Sequence, residues 1–497
     1  MRRAGILMPI TSLPSAWGIG TLGNEAGKFL DFLTQAGQSC WQILPIGPTG
    51  YGDSPYQPFS SFAGNPYLID LDDLRQEGLL HEEEYQGLDW GDDPGRVDYG
   101  LLYRNRFGVL KKAVGRLTGE KAEELEKFCR EESWWLADYA LFMALKGRFD
   151  GAAWSKWPQG LRKREREAVA AAESELSAEI DFWKGVQFLF FHQWEKLKKL
   201  SQEKGISIIG DLPIYVAEDS ADVWAHPELF QMDEDLRPVK VAGCPPDGFS
   251  ASGQLWGIPL FDWERMKEEG YGWWISRVAF QFRFYDVLRI DHFRGFESYY
   301  AIPRGAKDAR KGSWEKGPGM DFFRALEKAV GRRRIIAEDL GFITPEVGKL
   351  LEDTGFPGMK VLQFAFDSRD GGGRMYQPHN YPVNCVAYVG THDNETALGW
   401  LEEVSAEGAA LAREYLHLDR EEGENWGMMR GIWSSPAGYA IVQMQDILGL
   451  GREGRINTPS TLGGNWQWRA LPGSYGADLA ARVYRQMYLY ERLPGQA

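Results

Sequence analysis

The sequence predicts an α/β protein: a (β/α)8 TIM barrel with long, mostly helical insertions. Three observations predict it. Eight short apolar runs recur along the chain, and they are continuous rather than alternating, as in parallel strands buried on both faces. Helix-like stretches separate most of them, which is the pattern of a parallel sheet, and eight strands suffice for closure. The chain has 497 residues, well beyond the roughly 250 of a plain barrel, so insertions are required.

The first strand is expected at Gly5–Ile10, followed by a helix over Asn24–Gly37 with Asn24 as its N-cap. The second strand is expected at Cys40–Ile46. After it comes Gly47–Asp181, whose later part is charged and helix-like, and which reads as an inserted helical subdomain (47–181). Its run Arg162-Lys163-Arg164-Glu165-Arg166 reads as a solvated helix face. A helix over Val186–Lys204 leads into the third strand, Ser207–Val216. A second inserted segment, 217–270, contains a Gly- and Pro-rich loop at 243–257. A helix over Tyr271–Asp286 precedes the fourth strand, Val287–Phe293, and one over Asp321–Val330 precedes the fifth, Arg334–Leu340. The helix Thr344–Asp353 places Pro345 at its first turn, where the missing N–H costs nothing. The sixth strand is expected at Gly358–Phe366 and the seventh at Val383–Asp393, with no helix fitting Asp367–Pro382 between them. The eighth is expected at Ile456–Leu462. The whole, 1–497, reads as one barrel without internal repeats.

Composition narrows the partners. A formal charge of −15 argues against nucleic acid or anionic membrane and fits a neutral substrate. The opening Met1-Arg2-Arg3-Ala4-Gly5 enters a strand-like segment with no apolar signal region, and no apolar run is long enough to span a bilayer. Cys40, Cys129, Cys244 and Cys385 are scattered without metal-like spacing, which reads as reduced thiols and a cytoplasmic location. The 20 tryptophans exceed what a core of this kind requires and weakly favour a sugar ligand, since aromatic faces stack on sugar rings.

Two motifs invite other readings. Gly18-Ile19-Gly20-Thr21-Leu22-Gly23 matches GxGxxG, but Thr11–Trp17 intervenes after the strand and the second strand ends without an acid. A dinucleotide site needs both features, so these glycines read as turn or close-approach positions. His392-Asp393-Asn394-Glu395 suggests a metal, yet the other histidines are too dispersed to complete a ligand set. No metal and no cofactor are expected.

The acids at the strand ends carry more. Chemistry on this fold sits at the C-terminal ends of the strands. Four expected strands end in or near an acid: Asp211, Asp291, Glu338 and Asp393. Buried carboxylates are costly unless paired, so the pattern alone leaves two readings open, a functional cluster or a structural charge network. Arg289 and Asp291 share a strand face, which favours an ionised Asp291 and suits a nucleophile. Glu338 shares its face with Ile336, which favours the protonated form and suits a general acid. Two carboxyl groups pushed to opposite protonation states mark glycosidic bond cleavage.

At these residues the chain resembles the amylomaltase family, the 4-α-glucanotransferases or disproportionating enzymes, relatives of the α-amylases. The carrying segments are Gly5-Ile6-Leu7 through Gly23, Trp41–Asp70, Gly210–Val216 (GDLPIYV), Gly243–Pro259, Arg289–Gly295 (RIDHFRG), Ala337–Gly341 (AEDLG), Gly390–Thr396 (GTHDNET) and Asn457–Arg469 (NTPSTLGGNWQWR). The resemblance implies Asp291 as nucleophile, Glu338 as acid/base and Asp393 as transition-state stabiliser. It implies Arg289 and His392 as residues that orient the nucleophile and bind the reacting sugar, and Tyr56 as the stacking platform beneath it. Asp211, Ser54 and Asn465 resemble further sugar contacts. Trp256 resembles the aromatic residue of a flexible loop over the acceptor side. Tyr51 and Tyr99 resemble a second, remote glucan site, with exposed turn tyrosines as the plainer reading. GDLPIYV replaces the Asn-His pair common in α-amylases, so no structural calcium is expected.

The implied reaction is transfer of α-1,4-glucan segments to the 4-hydroxyl of an acceptor glucan or glucose, by double displacement with retention. The implied partners are maltooligosaccharides and fragments of starch or glycogen. An α-glucan hydrolase of the α-amylase type is the alternative, and a non-catalytic glucan-binding protein a remoter one.

Overall fold

The structure is a computed structural model that describes residues 2–50, 52–246, 251–341, 343–367 and 373–495. Eight parallel strands form one sheet: β1 (Arg3–Leu7), β2 (Cys40–Gln42), β3 (Ser207–Leu212), β4 (Val287–Ile290), β5 (Ile335–Ala337), β6 (Gly358–Val361), β7 (Cys385–Tyr388) and β8 (Tyr439–Gln443). β8 pairs with both β7 and β1, so chain order is spatial order around the ring. Between β5 and β6 the ring is joined by the Ala337 N–H donating to Pro357 C=O at 3.0 Å. The Asp339 carboxylate completes the join by accepting the Met359 N–H at 2.6 Å. A Cβ at position 358 would lie 2.5 Å from Asp339 Oδ2, so Gly358 is what admits that carboxylate.

The barrel interior is filled by Leu7, Cys40, Ile209, Val287, Ile336, Met359, Val361, Val386, Tyr388 and Ile441, all buried. Every barrel strand except β8 begins and ends within the run expected of it or overlaps it closely. The eighth differs. Ile456–Leu462 is loop, and the closing strand is Tyr439–Gln443, whose Ile441 faces the interior. The loop identity has local causes: Pro459 has no N–H for a ladder, and Ser460 takes φ 64°. Only Ile456 of that run is buried, and it supplied the apolar signal.

The GxGxxG stretch is loop leading into the helix Asn24–Gln35. A Cβ at Gly20 would fall 1.9 Å from the Ile10 carbonyl oxygen, and one at Gly23 2.3 Å from Asp70 Cγ. Those glycines therefore serve close backbone approach. Gly23, not Asn24, occupies the N-cap position, and Asp70 packs against it.

Residues 47–181 carry the helices Leu71–Gln76, Tyr99–Val114, Glu120–Glu131, Ser133–Arg148, Gln159–Arg162 and Arg166–Glu175. The next helix is longer than expected and runs Ser177–Glu203, so it crosses the boundary at 181. The basic run around Arg164 is not one solvated helix face. The chain breaks there with φ 54° at Arg164, whose guanidinium lies 4.3 Å from the Trp224 ring and pairs with Asp138.

A second sheet went unread in the sequence. It is antiparallel, in the order Gln254–Pro259, Lys240–Cys244, Ser298–Pro303, Ser313–Lys316. Its first two strands form a hairpin that spans the expected loop, with Gly243 opposite Leu255. No helix among the described residues is long and apolar enough to cross a membrane.

Candidate active site

Each of the three expected catalytic acids lies just past the C-terminal end of a strand. Asp291 follows β4 and Glu338 follows β5, while Asp393 lies on the loop beyond β7. Backbone bonds fix the first two. The Asp291 N–H donates to Leu212 C=O and the Glu338 N–H to Ile290 C=O, each at 3.0 Å. The barrel ladder thus continues one residue past its strands and sets where both side chains start.

Behind Asp291 stands Arg289. Its Nη2 is 3.0 Å from Asp291 Oδ1, and its Nη1 donates to both Asp211 oxygens, at 2.7 and 2.6 Å. Asp211 also accepts the Tyr56 hydroxyl at 2.7 Å. The Asp211 side chain has 0% exposure, whereas that of Asp291 has 31%. Asp211 is therefore enclosed behind Arg289 and Tyr56, and Asp291 is the acid that faces the cleft. Ser54, expected at the sugar, supports the Tyr56 loop: its Oγ accepts the Tyr56 N–H at 3.3 Å.

Glu338 is held by two backbone donors. His292 N–H reaches Oε2 at 2.7 Å, and Leu340 N–H reaches Oε1 at 2.8 Å. Burial drives its pKa upward, the Asp291 charge adds to that, and Arg289 with the two N–H groups only partly oppose it. Asp291 is also raised, first by burial; Arg289 opposes, while Asp211 and Asp393 reinforce the rise. This differs from the simple expectation that Arg289 holds Asp291 low. Desolvation outweighs one guanidinium that is itself shared with Asp211.

Asp393 goes the other way. Burial would raise it, but His392, Asn457 and Arg289 together bring it down to about 2. Asn457 Nδ2 donates to its Oδ1 at 2.7 Å, and His392 Nε2 lies 3.3 Å from the same oxygen. His392 stacks on Tyr56 with ring centroids 5.0 Å apart, and Trp466 tilts against both rings.

Trp256 sits on the hairpin strand Gln254–Pro259 and meets the His292 ring edge-on at 4.9 Å. His292 has φ 52°, and burial with the neighbouring Arg294 lowers its pKa to about 3, so its ring is neutral. The hairpin thus touches the residue whose backbone N–H holds Glu338.

Asn465 does not turn toward the acids. Its amide bonds Thr461 and the Thr458 N–H, closing the loop that carries Asn457. Tyr99 is half-buried at the start of its helix, and its hydroxyl donates to Trp466 C=O at 2.8 Å. Tyr51 lies outside the described residues. Asn457, His292 and Trp466 carried no role in the sequence reading. Asn457 and Trp466 lie in the recognised NTPSTLGGNWQWR segment, but nothing in its spacing shows that it returns to Asp393.

An eight-stranded parallel barrel with ionised and protonation-prone carboxylates gathered at its C-terminal rim is a barrel enzyme built for acid–base and nucleophilic carboxylate chemistry. The 4-alpha-glucanotransferase family profile matches residues 8–473. The chain is 48% identical over 487 residues to the 4-alpha-glucanotransferase of Clostridium butyricum, covering 98% of this chain and 100% of that one. It is 48% identical over 503 residues to that of Thermus thermophilus, covering 99% of each. The solved amylomaltase of Streptococcus agalactiae, in complex with acarbose, superposes with a TM-score of 0.96 at 42% identity, over 99% of this chain and 100% of that chain. The chain belongs to the 4-alpha-glucanotransferase family.

Proposed function

We propose that this 4-α-glucanotransferase moves α-1,4-glucan segments between maltooligosaccharides by retaining double displacement through Asp291, Glu338 and Asp393. The observation that carries the reading is the junction at Asp291-His292. The nucleophile and the backbone donor that holds the acid/base are consecutive residues, so the two carboxyl groups are placed by one turn of chain.

In this reading Glu338 protonates the glycosidic oxygen as the bond to the leaving glucan breaks. Asp291 Oδ attacks the anomeric carbon and forms a glycosyl ester. Asp393, ionised, accepts hydrogen bonds from ring hydroxyls that strengthen as the ring flattens. Glu338, now a carboxylate, takes the proton of the acceptor 4-hydroxyl, which attacks the anomeric carbon and releases Asp291. Tyr56 stacks beneath the reacting sugar. Arg289 and His392 orient Asp291 and Asp393, and Asp211 acts through Arg289 and Tyr56. The residues' own charges supply every step, with no cofactor.

Transfer requires the acceptor to arrive before water. Trp256, on the hairpin beside His292, gives the acceptor side an aromatic face. Starch or glycogen fragments are longer donors of the same chemistry, and the scattered cysteine spacing favours a cytoplasmic setting. The test is incubation with maltotriose alone. Products both shorter and longer than the substrate are expected, with almost no gain in total reducing ends. A gain matching the bonds broken makes the enzyme a hydrolase.

A further inference from the structure

Arg455 lies outside the segments recognised in the sequence, and its side chain joins its own loop, at Asn457, to the loop that carries Asp393 and Glu395. Its Nη2 donates to the Asp393 carbonyl at 3.2 Å. Its Nη1 donates to Glu395 Oε2 at 3.1 Å, where the Glu395 side chain is 6% exposed. Its Nε donates to Asn457 C=O at 2.9 Å, and the Asn457 amide in turn bonds the Asp393 carboxylate. The same guanidinium therefore holds Asp393 by its main chain and, through Asn457, by its reactive oxygen.

We propose that Arg455 is a positioning residue for Asp393, setting where its carboxylate meets the sugar hydroxyls in the transition state. The inference rests on the role given to Asp393 above. The need for such a device follows from the fold. Asp291 and Glu338 stand one residue beyond their strands, whereas Asp393 is five residues beyond β7 and receives no ladder bond. Its loop is held instead by side chains: Asn394 Oδ1 accepts the Thr391 N–H at 2.8 Å, and Gln363 Nε2 donates to Glu395 C=O at 2.8 Å. Those bonds fix the loop's shape. Arg455 ties that loop to the one carrying Asn457 through Nη1 and Nη2, while its Nε donates within its own loop to Asn457 C=O and so holds the residue whose amide meets the Asp393 carboxylate. A planar fork can meet three acceptors at once; a lysine ammonium on a flexible stem cannot hold the same plane. A carboxylate that stabilises developing charge loses rate steeply when displaced, by up to about 100-fold per ångström.

The experiment is a double-mutant cycle on glycosylation by an α-maltosyl fluoride donor, followed by single turnover, with melting temperature read on each variant. Arg455→Met is expected to lower the rate by about 10- to 100-fold in the parent enzyme with KM changed less than about threefold. In an Asp393→Ala background it is expected to cost less than about threefold, because its target is gone. An equal loss in both backgrounds makes Arg455 a general structural residue and overturns the proposal, while Asp393 keeps its role. A parent-like rate in Asp393→Ala alone sinks the reading of Asp393 and the proposal with it. Should Arg455→Met fail to fold, Arg455→Lys decides: it retains the cation, is expected to lose most of the same rate, and overturns the proposal if it turns over like the parent.

Discussion

The division of labour among the acids is set by what each side chain touches. Burial pushes both Asp393 and Glu338 up; at Asp393 a histidine and an amide at its oxygen overcome it and hold it low, whereas at Glu338 the Asp291 charge adds to it and Arg289 with two backbone donors only partly oppose it. Asp291→Asn keeps the shape but removes the proposed nucleophile. We expect at least about a 1,000-fold loss of transfer, checked by the rate of maltotriose redistribution. Retained activity at a tenth of the parent assigns the ester to another acid. The pH profile follows from the same contacts. Asp291 must be ionised to attack, so activity falls as pH drops through its raised pKa, and the acid limb lies above the ordinary aspartate range near pH 4. Glu338 must be protonated, so activity falls again as pH climbs through its own raised pKa. The two groups interact, and the limbs belong to the pair. With a fluoride donor, whose leaving group needs no protonation, Glu338→Gln is expected to glycosylate without the basic limb. A basic limb that survives this substitution places the acid elsewhere.

At the scale of elements, the hairpin Lys240–Cys244/Gln254–Pro259 carries Trp256, the residue proposed above to give the acceptor side its aromatic face. It is braced by Ser298–Pro303, which pairs with Lys240–Cys244. A strand anchored on a sheet presents Trp256 more reproducibly than a free loop. Trp256 carries its indole against His292 and adjoins the Glu338 anchor. Trp256→Ala is expected to raise the hydrolysed fraction several-fold at equal total turnover, by weakening acceptor capture and admitting water. The measurement is new reducing ends against total bond exchange. If that ratio matches the parent, the hairpin plays no part in excluding water and the acceptor depends on other contacts.

For the whole molecule, the acids behind the rim couple stability to pH. Asp446, just past β8, is 1% exposed, accepts the Ala397 N–H at 2.7 Å through Oδ1, and has no partner at Oδ2 among the described residues. Burial raises its pKa to about 7, with the Ala397 N–H opposing and Glu395 reinforcing. An unfolded aspartate titrates near pH 4, so between about 4 and 7 the folded state holds a proton that the unfolded chain releases. That contribution to stability is full below pH 4 and is lost as pH rises through 7, at a slope on the order of 1.4 kcal/mol per unit. Asp446→Asn carries no such proton. Its urea midpoint relative to the parent is expected to be higher at pH 8 than at pH 5. An unchanged difference between the two pH values means that Asp446 is ionised in the folded protein.

The sequence by itself determined the barrel, seven of its eight strands, the placement of three acids beyond strand ends and the family. Those features are written locally, as continuous apolar runs and as short motifs at strand ends, and local patterns survive without knowledge of neighbours. It did not show that Tyr439–Gln443 rather than Ile456–Leu462 closes the ring, because a five-residue run in a helical stretch becomes a strand only by pairing with Arg3–Leu7 and Cys385–Tyr388. Only the tertiary structure decided that Asp211 faces Arg289 and Tyr56 instead of the cleft, that Asn457 returns to Asp393, and that Arg455 reaches across to the Asp393 loop. These are contacts between residues 60 or more positions apart. Burial and pairing of charge depend on which distant groups arrive together, and no spacing along the chain records that.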